Sequence, residues 1–361
     1  MNPDPHYRLD PAEDDGAGGA SRNRAALITG ANGEFGHGLI RSLYDAGRRD
    51  IVALDVRELD PELRSMCRES FVGDIVDDKL LDRLLATYEI HTIYHLAALL
   101  STRAEFTPEA AHMVNVNGTL NLLKLAANQA SSHAGVVKFL FPSSIAVYGL
   151  PDLDTKRRAG RVKEGEHLTP TTMYGCNKLA CEHLGRYYAR HYRQLAKDRP
   201  LNGGRVDFRS IRFPGVISAF TTPSGGTSDY APEMIHAAAQ GRPYACFVRE
   251  DARIPFITMP DAIRALLALG EADADSLTHC VYNIGGFNPS AGEIADIVRR
   301  HFETTDISFA PDLERQGIVD TWPEDVDDAA ARHDWGYAFE HDLDEAFETY
   351  LIPNIRAKYA E

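Results

Sequence analysis

The sequence predicts an α/β protein built on a doubly wound parallel sheet, with a smaller lobe at its C-terminal end. Three observations carry this prediction. Short apolar segments typical of buried parallel strands alternate with amphipathic helical patterns over roughly the first 220 residues. Glycines at positions 30, 33 and 36 follow the first apolar segment, where such a fold makes its first turn. Beyond about residue 220 the strands are shorter and the pattern is looser.

The alternation can be followed along the chain. Strands are expected at residues 25–29, 51–55, 70–74, 92–98, 136–141 and 206–211. Helices are expected from the glycines to Gly47 and over residues 80–85, 108–130 and 171–195. In the C-terminal part, helices near 231–240, 260–270, 290–303 and 342–358 alternate with strands near 244–248, 280–284 and 306–309. Two charged segments, 152–167 and 196–205, are expected to be solvent-exposed loops.

The three glycines predict a dinucleotide site. Gly30 permits a tight turn, Gly33 lets the backbone approach a pyrophosphate, and Gly36 lets the helix pack close to the strand. The N-terminus of that helix offers free N–H groups and a partial positive charge to the phosphates. Asp55 ends the next strand, where a carboxylate binds a ribose diol and repels a 2′-phosphate. NAD is therefore favoured over NADP, although the nearby Arg57 argues the other way.

Tyr174 and Lys178 lie four residues apart, and residues at this spacing share one face of a helix. A tyrosine phenol titrates near about pH 10, and a neighbouring ammonium group is expected to lower that pKa. The pair then suits proton transfer to or from a hydroxyl group. Ser144 follows a central strand, where its hydroxyl can hold a substrate oxygen, and we favour it over Ser143. An exposed helix face and a turn serine are the alternative interpretations.

Four further polar residues receive mainly structural interpretations. Asn115 and Asn117 fall inside the helix expected at 108–130. Because Asn is a poor helix former, either a helix irregularity or a hydrogen-bonding role is expected there. His91 and His95 are interpreted as structural side chains and not as metal ligands.

The composition limits the classes of function. The 361 residues include 53 acidic and 38 basic side chains, and the net charge of −15 argues against nucleic acid or membrane partners. Five scattered cysteines without a Cys-x-x-Cys pair indicate neither a disulfide framework nor a zinc site, and no metal is expected. They favour a reducing compartment, so a cytoplasmic protein is expected. No apolar stretch is long enough to span a membrane.

These patterns divide the chain into three segments. Residues 1–24 lack an apolar block and are expected to be a disordered tail, not a signal peptide or presequence. Residues 25–220 are expected to form an NAD-binding domain of the Rossmann type. Residues 221–361 are expected to form mainly a substrate-binding lobe, and some of its segments can return to the sheet.

Taken together, the motifs resemble those of an extended short-chain dehydrogenase/reductase of the NAD-dependent epimerase/dehydratase family. The resemblance covers residues 25 to about 355 and joins the glycines and Asp55 to Gly-Asp-Ile at 73–75, His-Leu-Ala-Ala at 95–98, Val-Asn-Val-Asn-Gly at 114–118 and Tyr-x-x-x-Lys at 174–178. It implies that Tyr174 is the acid/base, that Lys178 binds the ribose, and that Ser144 holds the reacting oxygen. It also implies a homodimer built on the two long helices.

The same resemblance implies NAD as the cofactor and a set of residues that contact it. These are Gly30, Asn32, Gly33, Glu34, Phe35, Gly36, Asp55, Asp74, Ile75, Leu96, Ala97, Ala98, Asn117, Tyr174, Lys178 and Pro214.

The C-terminal half bears on the substrate. Sugar-nucleotide enzymes of the family usually hold a diphosphate with Arg-Tyr-Phe-Asn-Pro and Arg-Asp-Tyr/Phe motifs, where this chain has Pro214-Gly215 and Arg253-Ile-Pro. Segments 212–230, 253–261 and 315–323 instead resemble the short-chain type of L-threonine 3-dehydrogenase. That resemblance implies oxidation of the β-hydroxyl of L-threonine to 2-amino-3-oxobutanoate. It also implies a pocket lined by Ser101, Ser144, Tyr174, Gly225, Thr227 and Trp322.

Two features depart from that pattern. Loop 152–167 is longer and more basic, and Tyr148 stands where Phe is common.

Loop 225–228 is expected to present N–H and hydroxyl groups to a substrate carboxylate. Two other classes remain open: a sugar or sugar-nucleotide epimerase or dehydrogenase, and a non-catalytic NAD-sensing protein. The second of these would not need the acid/base pair and the serine together.

Overall fold

The structure is a computed structural model that describes residues 23–196, 204–223, 225–303 and 305–360. The expected disordered tail, apart from its last two residues, and most of the expected loop at 196–205 lie outside these ranges. Asn23 and Arg24, assigned to the tail from the sequence, instead begin the first strand.

Within the described ranges, the strands extend the predicted pattern. They are β1 (Asn23–Thr29), β2 (Ile51–Asp55), β3 (Glu69–Val72), β4 (Tyr88–His95), β5 (Val136–Ser144), β6 (Arg161–Val162), β7 (Arg205–Phe213), β8 (Gly215–Ile217), β9 (Tyr244–Cys246), β10 (Phe256–Thr258), β11 (Val281–Asn283), β12 (Ile307–Phe309) and β13 (Asp325–Val326).

Twelve of the described α-helices lie between these strands, and three follow the last strand. In chain order, the helices are α1 (Glu34–Asp45), α2 (Pro61–Met66), α3 (Asp78–Thr87), α4 (Ser101–Phe106), α5 (Pro108–His112), α6 (Gly118–His133), α7 (Leu153–Ala159), α8 (Met173–Arg190), α9 (Tyr230–Ala239), α10 (Met259–Glu271), α11 (Ala291–His301), α12 (Leu313–Thr321), α13 (Ala329–Trp335), α14 (Leu343–Glu345) and α15 (Ile352–Tyr359). Among the described helices, none is long and apolar enough to cross a membrane.

Seven strands form one sheet in the order β3-β2-β1-β4-β5-β7-β11, and every neighbouring pair is parallel. This arrangement confirms the predicted doubly wound sheet. The strand order reverses between β1 and β4, and ligands of such folds bind at the carboxyl ends of the strands beside that reversal. β11 comes from the C-terminal part, so residues 281–283 return to the sheet. The pairs β8–β10, β9–β12 and β6–β13 lie outside it.

The helix expected at 108–130 contains the expected irregularity. A π-helical turn at Met113–Asn117 joins α5 to α6. The Asn115 side chain accepts a hydrogen bond from the N–H of Leu99 at 2.7 Å and donates one to its carbonyl at 3.0 Å. An amide that pairs with the backbone of the loop after β4 favours this distortion, because the wider turn lets it reach that loop.

Segment 152–167 is mostly exposed or half-buried, as its charges predicted, but it is not a loop throughout. It contains α7 and β6, and β6 pairs in parallel with β13. Lys156 and Val162 are both buried. A count of charges missed this because Lys156 buries its side chain while the neighbouring Arg157 and Arg158 stay exposed.

Candidate active site

The glycine loop connects β1 to α1 at the carboxyl edge of the sheet. Gly30 has a φ of +68°, and a Cβ atom there would lie 2.6 Å from the backbone nitrogen of Ala97, so the turn requires glycine. Gly33 is the N-cap of α1, and no side chain caps the helix that begins at Glu34. The first N–H groups of α1 are therefore available to a phosphate, so the loop fits a dinucleotide.

Asp55, at the end of β2, supports this loop. Its Oδ2 accepts a hydrogen bond from the N–H of Asn32 at 2.9 Å, and its Oδ1 accepts one from the N–H of Arg57 at 3.0 Å. The carboxylate lies at the position where ribose hydroxyls are bound in this fold. The guanidinium of Arg57 approaches the carbonyl of Asn32 at 3.5 Å.

Three more residues of the implied cofactor set, Phe35, Gly36 and Pro214, are held by close packing. The ring of Phe35 packs edge-on against Phe213, with 5.1 Å between centroids. Pro214, which follows, is buried. Gly36 lies against the backbone of Ala31, too close for any larger residue.

The remaining residues of the implied cofactor set lie in the loops after β3 and β4 and in the π-helical turn. Asp74 Oδ1 accepts a hydrogen bond from the N–H of Val76 at 3.1 Å, and Ile75 is buried. Residues 96–98 follow β4 directly, beside the glycine loop. Asn117 ends the π-helical turn.

Tyr174 and Lys178, the predicted acid/base pair, lie on α8, beside the end of β5. Lys178 Nζ donates a hydrogen bond to the carbonyl of Pro142 at 2.6 Å and lies 5.6 Å from the centroid of the Tyr174 ring. Thr172 caps the helix, since its Oγ1 accepts from the N–H of Gly175 at 3.1 Å. The cap fixes the turn that carries Tyr174.

The two serines at the end of β5 differ in their surroundings. Ser143 is buried and donates its hydroxyl to Glu182 Oε1 at 2.6 Å. Ser144 is half-buried, and its Oγ accepts from the N–H of Ala146 at 3.1 Å. The second bond uses an oxygen lone pair of Ser144 and not its proton.

The pKa of Tyr174 is shifted in the direction opposite to the one that the sequence predicted. Burial raises the pKa of its phenol above the ordinary value, whereas the sequence predicted that Lys178 would lower it. Burial also lowers the pKa of Lys178 to about 8, and its ammonium is hydrogen-bonded to Pro142. Burial therefore favours the neutral form of the Tyr174 phenol.

A buried ionic network beneath the site was missed by the sequence analysis. Arg212 donates to both carboxylate oxygens of Glu182, at 2.9 and 2.7 Å. It also donates to Tyr148 Oη at 2.8 Å, and Tyr148 donates in turn to Asn283 Oδ1 at 2.7 Å. Tyr148 is thus a polar member of the network. The one available signal was Glu182, four residues after Lys178 on the same helix face.

His95 has the structural role expected of it. The ring lies between two hydroxyls, with Nδ1 2.8 Å from Thr29 Oγ1 and Nε2 2.8 Å from Thr119 Oγ1. Burial lowers the pKa of His95 to about 3, so the ring is neutral. His91 also has a structural role, since its Nε2 lies 2.9 Å from Asp50 Oδ2.

Loop 225–228, which was expected to bind a carboxylate, is held by hydrogen bonds with three side chains. Thr102 donates to the carbonyl of Gly225 at 2.8 Å, and Arg315 donates to the carbonyl of Gly226 at 2.8 Å. The N–H of Gly226, expected to face the substrate, instead donates to Asp229 Oδ2 at 2.6 Å. Thr227 is buried.

Ser101 and Trp322 complete the implied pocket. Ser101 begins α4, the helix that also carries Thr102. Trp322 caps the C-terminal end of α12 and is 4% exposed. It belongs to a hydrophobic cluster against which Tyr174 also packs. Helix α4 further contacts the acid/base helix, because Glu105 Oε1 accepts from the N–H of Met173 at 2.7 Å.

The fold and this edge of the sheet define a class of protein. Residues 26–285 match the NAD dependent epimerase/dehydratase family, and the chain belongs to that family. It is an NAD-dependent oxidoreductase acting on CH–OH groups.

Individual relatives of the chain have names that are more specific than the family description. The chain is 33% identical to mitochondrial L-threonine 3-dehydrogenase of Bos taurus over 90% of this chain and 81% of that protein. A solved monomeric L-threonine 3-dehydrogenase from a metagenome database is 35% identical with a TM-score of 0.80, over 92% of this chain and 99% of that one. L-threonine dehydrogenase of Clostridium difficile is 31% identical with a TM-score of 0.81, over 94% and 100%.

Proposed function

We propose that the protein oxidises the β-hydroxyl of L-threonine to 2-amino-3-oxobutanoate with NAD⁺. The observation that carries the proposal is that Tyr174 and Lys178 lie on α8, with Lys178 Nζ hydrogen-bonded to the carbonyl of Pro142, two residues before Ser144. The named relatives support the same substrate, since L-threonine 3-dehydrogenases match over about nine-tenths of the chain.

In the proposed reaction Tyr174 is the base. Its phenolate accepts the proton of the threonine hydroxyl while the Ser144 hydroxyl orients that oxygen. Bound NAD⁺ supplies the hydride acceptor and a positive ring that favours the phenolate. The Lys178 ammonium holds a ribose hydroxyl and keeps positive charge near Tyr174. Because burial raises the pKa of Tyr174, the proposed mechanism requires the positive charges of Lys178 and bound NAD⁺ to lower that pKa again.

The cofactor contacts in this proposal follow the residues named from the sequence. The glycine loop and the N-terminus of α1 hold the pyrophosphate, and Asp55 binds the adenosine ribose and favours NAD over NADP. Asp74 and Ile75 frame the adenine.

The nature of the groups near the substrate supports a small zwitterion over a nucleotide sugar. Arg253, the nearest counterpart of a diphosphate-binding arginine, is paired with Glu293 at 2.9 Å and also donates to the carbonyl of Asn288. An arginine committed to internal partners is a weak candidate for binding a diphosphate. In contrast, the hydroxyl groups of Ser101 and Thr227 can donate to a carboxylate or accept from an ammonium group, and the indole N–H of Trp322 can donate to a carboxylate.

The direct test is NADH formation with a panel of hydroxy compounds. We expect turnover with L-threonine, less with its stereoisomers, serine and 3-hydroxybutyrate, and none with nucleotide sugars. Turnover of a nucleotide sugar without turnover of any amino acid would replace the proposed substrate. NAD binding without turnover of any substrate would indicate a sensing protein.

We further propose a cytoplasmic homodimer that pairs helices α5, α6 and α8. Two exposed apolar side chains support this surface: Met113, in the π-helical turn between α5 and α6, is 50% exposed, and Tyr187, on α8, is 42% exposed. The five cysteines are free, which suits a reducing compartment. Light scattering of the purified chain tests the dimer, and a monomer mass would refute it.

A further inference from the structure

Helix α7 contains a buried lysine that the proposed chemistry does not use. Lys156 is 2% exposed, whereas its neighbours Arg157 and Arg158 are exposed. Burying an ammonium group is costly unless it is well paired, so the position calls for a specific partner.

That partner lies at the end of α12. Lys156 Nζ donates to the carbonyl of Val319 at 3.0 Å. The same carbonyl accepts the backbone N–H of Trp322 at 3.2 Å, the bond that ends the helix. A cation at a helix C-terminus is also favourable for the helix dipole. Lys156 therefore binds the carbonyl of Val319, which also holds the backbone N–H of Trp322.

Other contacts from the same part of the chain hold the segment on both sides of Trp322. Before it, the N–H of Leu150 donates to the carbonyl of Thr321 at 2.8 Å. After it, β6 pairs with β13, and Arg161 forms an ion pair with Asp328 at 2.6 Å. Segment 150–162 thus contacts the chain immediately before and after the tryptophan.

The indole of Trp322 has an unsatisfied group. Its Nε1 is buried and has no hydrogen-bond partner among the described residues. Buried donors are normally paired, so this unpaired indole N–H, in the hydrophobic cluster against which Tyr174 packs, is a group that a polar ligand can satisfy. Its usefulness to a ligand depends on a fixed ring position.

We propose that Lys156 is a positioning residue that fixes Trp322 and so sets which hydroxy compound the pocket accepts. The inference rests on the proposed function, in which Trp322 lines the substrate pocket. The extra length of segment 152–167 then has a purpose, since it supplies both Lys156 and Arg161.

The experiment compares Lys156→Met with Arg157→Met, an identical replacement at the exposed neighbouring position. The chain has two tryptophans, so 5-fluorotryptophan labelling gives two fluorine resonances, assigned with Trp335→Phe. In Lys156→Met we expect the Trp322 resonance to move and the Trp335 resonance to stay. We expect the KM for L-threonine to rise about tenfold, as for the loss of one charged hydrogen bond, with kcat and the KM for NAD nearly unchanged.

A purely structural lysine would give a different result. Lys156→Met would then lower the melting temperature, but its Trp322 resonance and threonine KM would match those of Arg157→Met, and the inference would be wrong. If Lys156→Met does not fold, Arg161→Met tests the other flank with the same two measurements and the same criteria. A wild-type protein that does not oxidise threonine refutes the proposed function, whereas the fluorine measurement needs no turnover and decides the positioning role separately.

Discussion

Glu182 and Arg212 form a two-point ion pair beneath the candidate site, with side chains that are 0% and 1% exposed. The pair ties the acid/base helix α8 to strand β7, and Ser143 adds a third contact to Glu182. Burial opposes the charge on Arg212, but the hydrogen bonds and charge of Glu182 outweigh it and raise the pKa of the guanidinium. A fully buried ion pair therefore holds α8 against β7 beneath the candidate site.

Removing one partner of this pair is expected to destabilise the fold strongly. Glu182→Gln leaves the guanidinium of Arg212 buried without a counter-charge, a change that costs about 3–5 kcal/mol in comparable sites. Urea unfolding measures the loss. Glu62→Gln is the matched control, because it breaks the exposed pair with Arg41. Equal losses in the two variants would show that the buried pair contributes no more than a surface pair.

Tyr174→Phe is expected to lower kcat by about 10²–10⁴-fold, because general acid/base catalysis contributes that much. NAD affinity, measured by calorimetry, should stay within about twofold, since the replacement keeps the ring. Tyr187→Phe, on the same helix but exposed, is the control and should leave turnover intact. Near-normal turnover in Tyr174→Phe would remove this residue from the chemistry.

Gly30→Ala is expected to abolish NAD binding and to destabilise the protein. The new Cβ atom would suffer both an unfavourable positive φ and a clash with Ala97. Gly336→Ala separates the two effects, because Gly336 also has a positive φ, of +70°, in the left-handed α region, but nothing lies within 4 Å of its Cβ position. The control should lose only about 1 kcal/mol, the cost of the backbone conformation. A similar loss in both variants would mean that the contact with Ala97 is unimportant.

His95 is expected to make the protein sensitive to acid. Its folded-state pKa of about 3 lies below the unfolded value of about 6.5, so only the unfolded chain gains this proton as the pH falls. The stabilisation is complete above pH 6.5 and is lost progressively between about pH 6.5 and 3. His95→Gln should reduce the slope of unfolding free energy against pH by about 1.4 kcal/mol per unit in that window. Parallel curves for both proteins would show that His95 does not titrate on unfolding.

Much of the fold and the position of the site could be predicted from local sequence. The glycines at 30, 33 and 36 predict the turn between β1 and α1. The tight turn, the approach of the backbone to a pyrophosphate and the packing of the helix on the strand each need a residue without a Cβ atom, at this spacing. The alternation of short apolar segments with helical patterns predicts a parallel sheet, because both faces of each strand in such a sheet are buried. Asn115 signals a helix irregularity through its poor helix propensity alone.

Properties that depend on partners distant in the sequence were decided only by the tertiary structure. The pKa of Tyr174 depends on how far the rest of the chain surrounds its phenol, which is not visible in a four-residue spacing. Lys156 reads as one more surface charge until the fold brings it to Val319, 163 positions away. Local patterns thus determined the elements and the reactive side chains. Packing decided which charges are buried, and burial sets their energies because an ion loses its hydration only when the rest of the chain surrounds it.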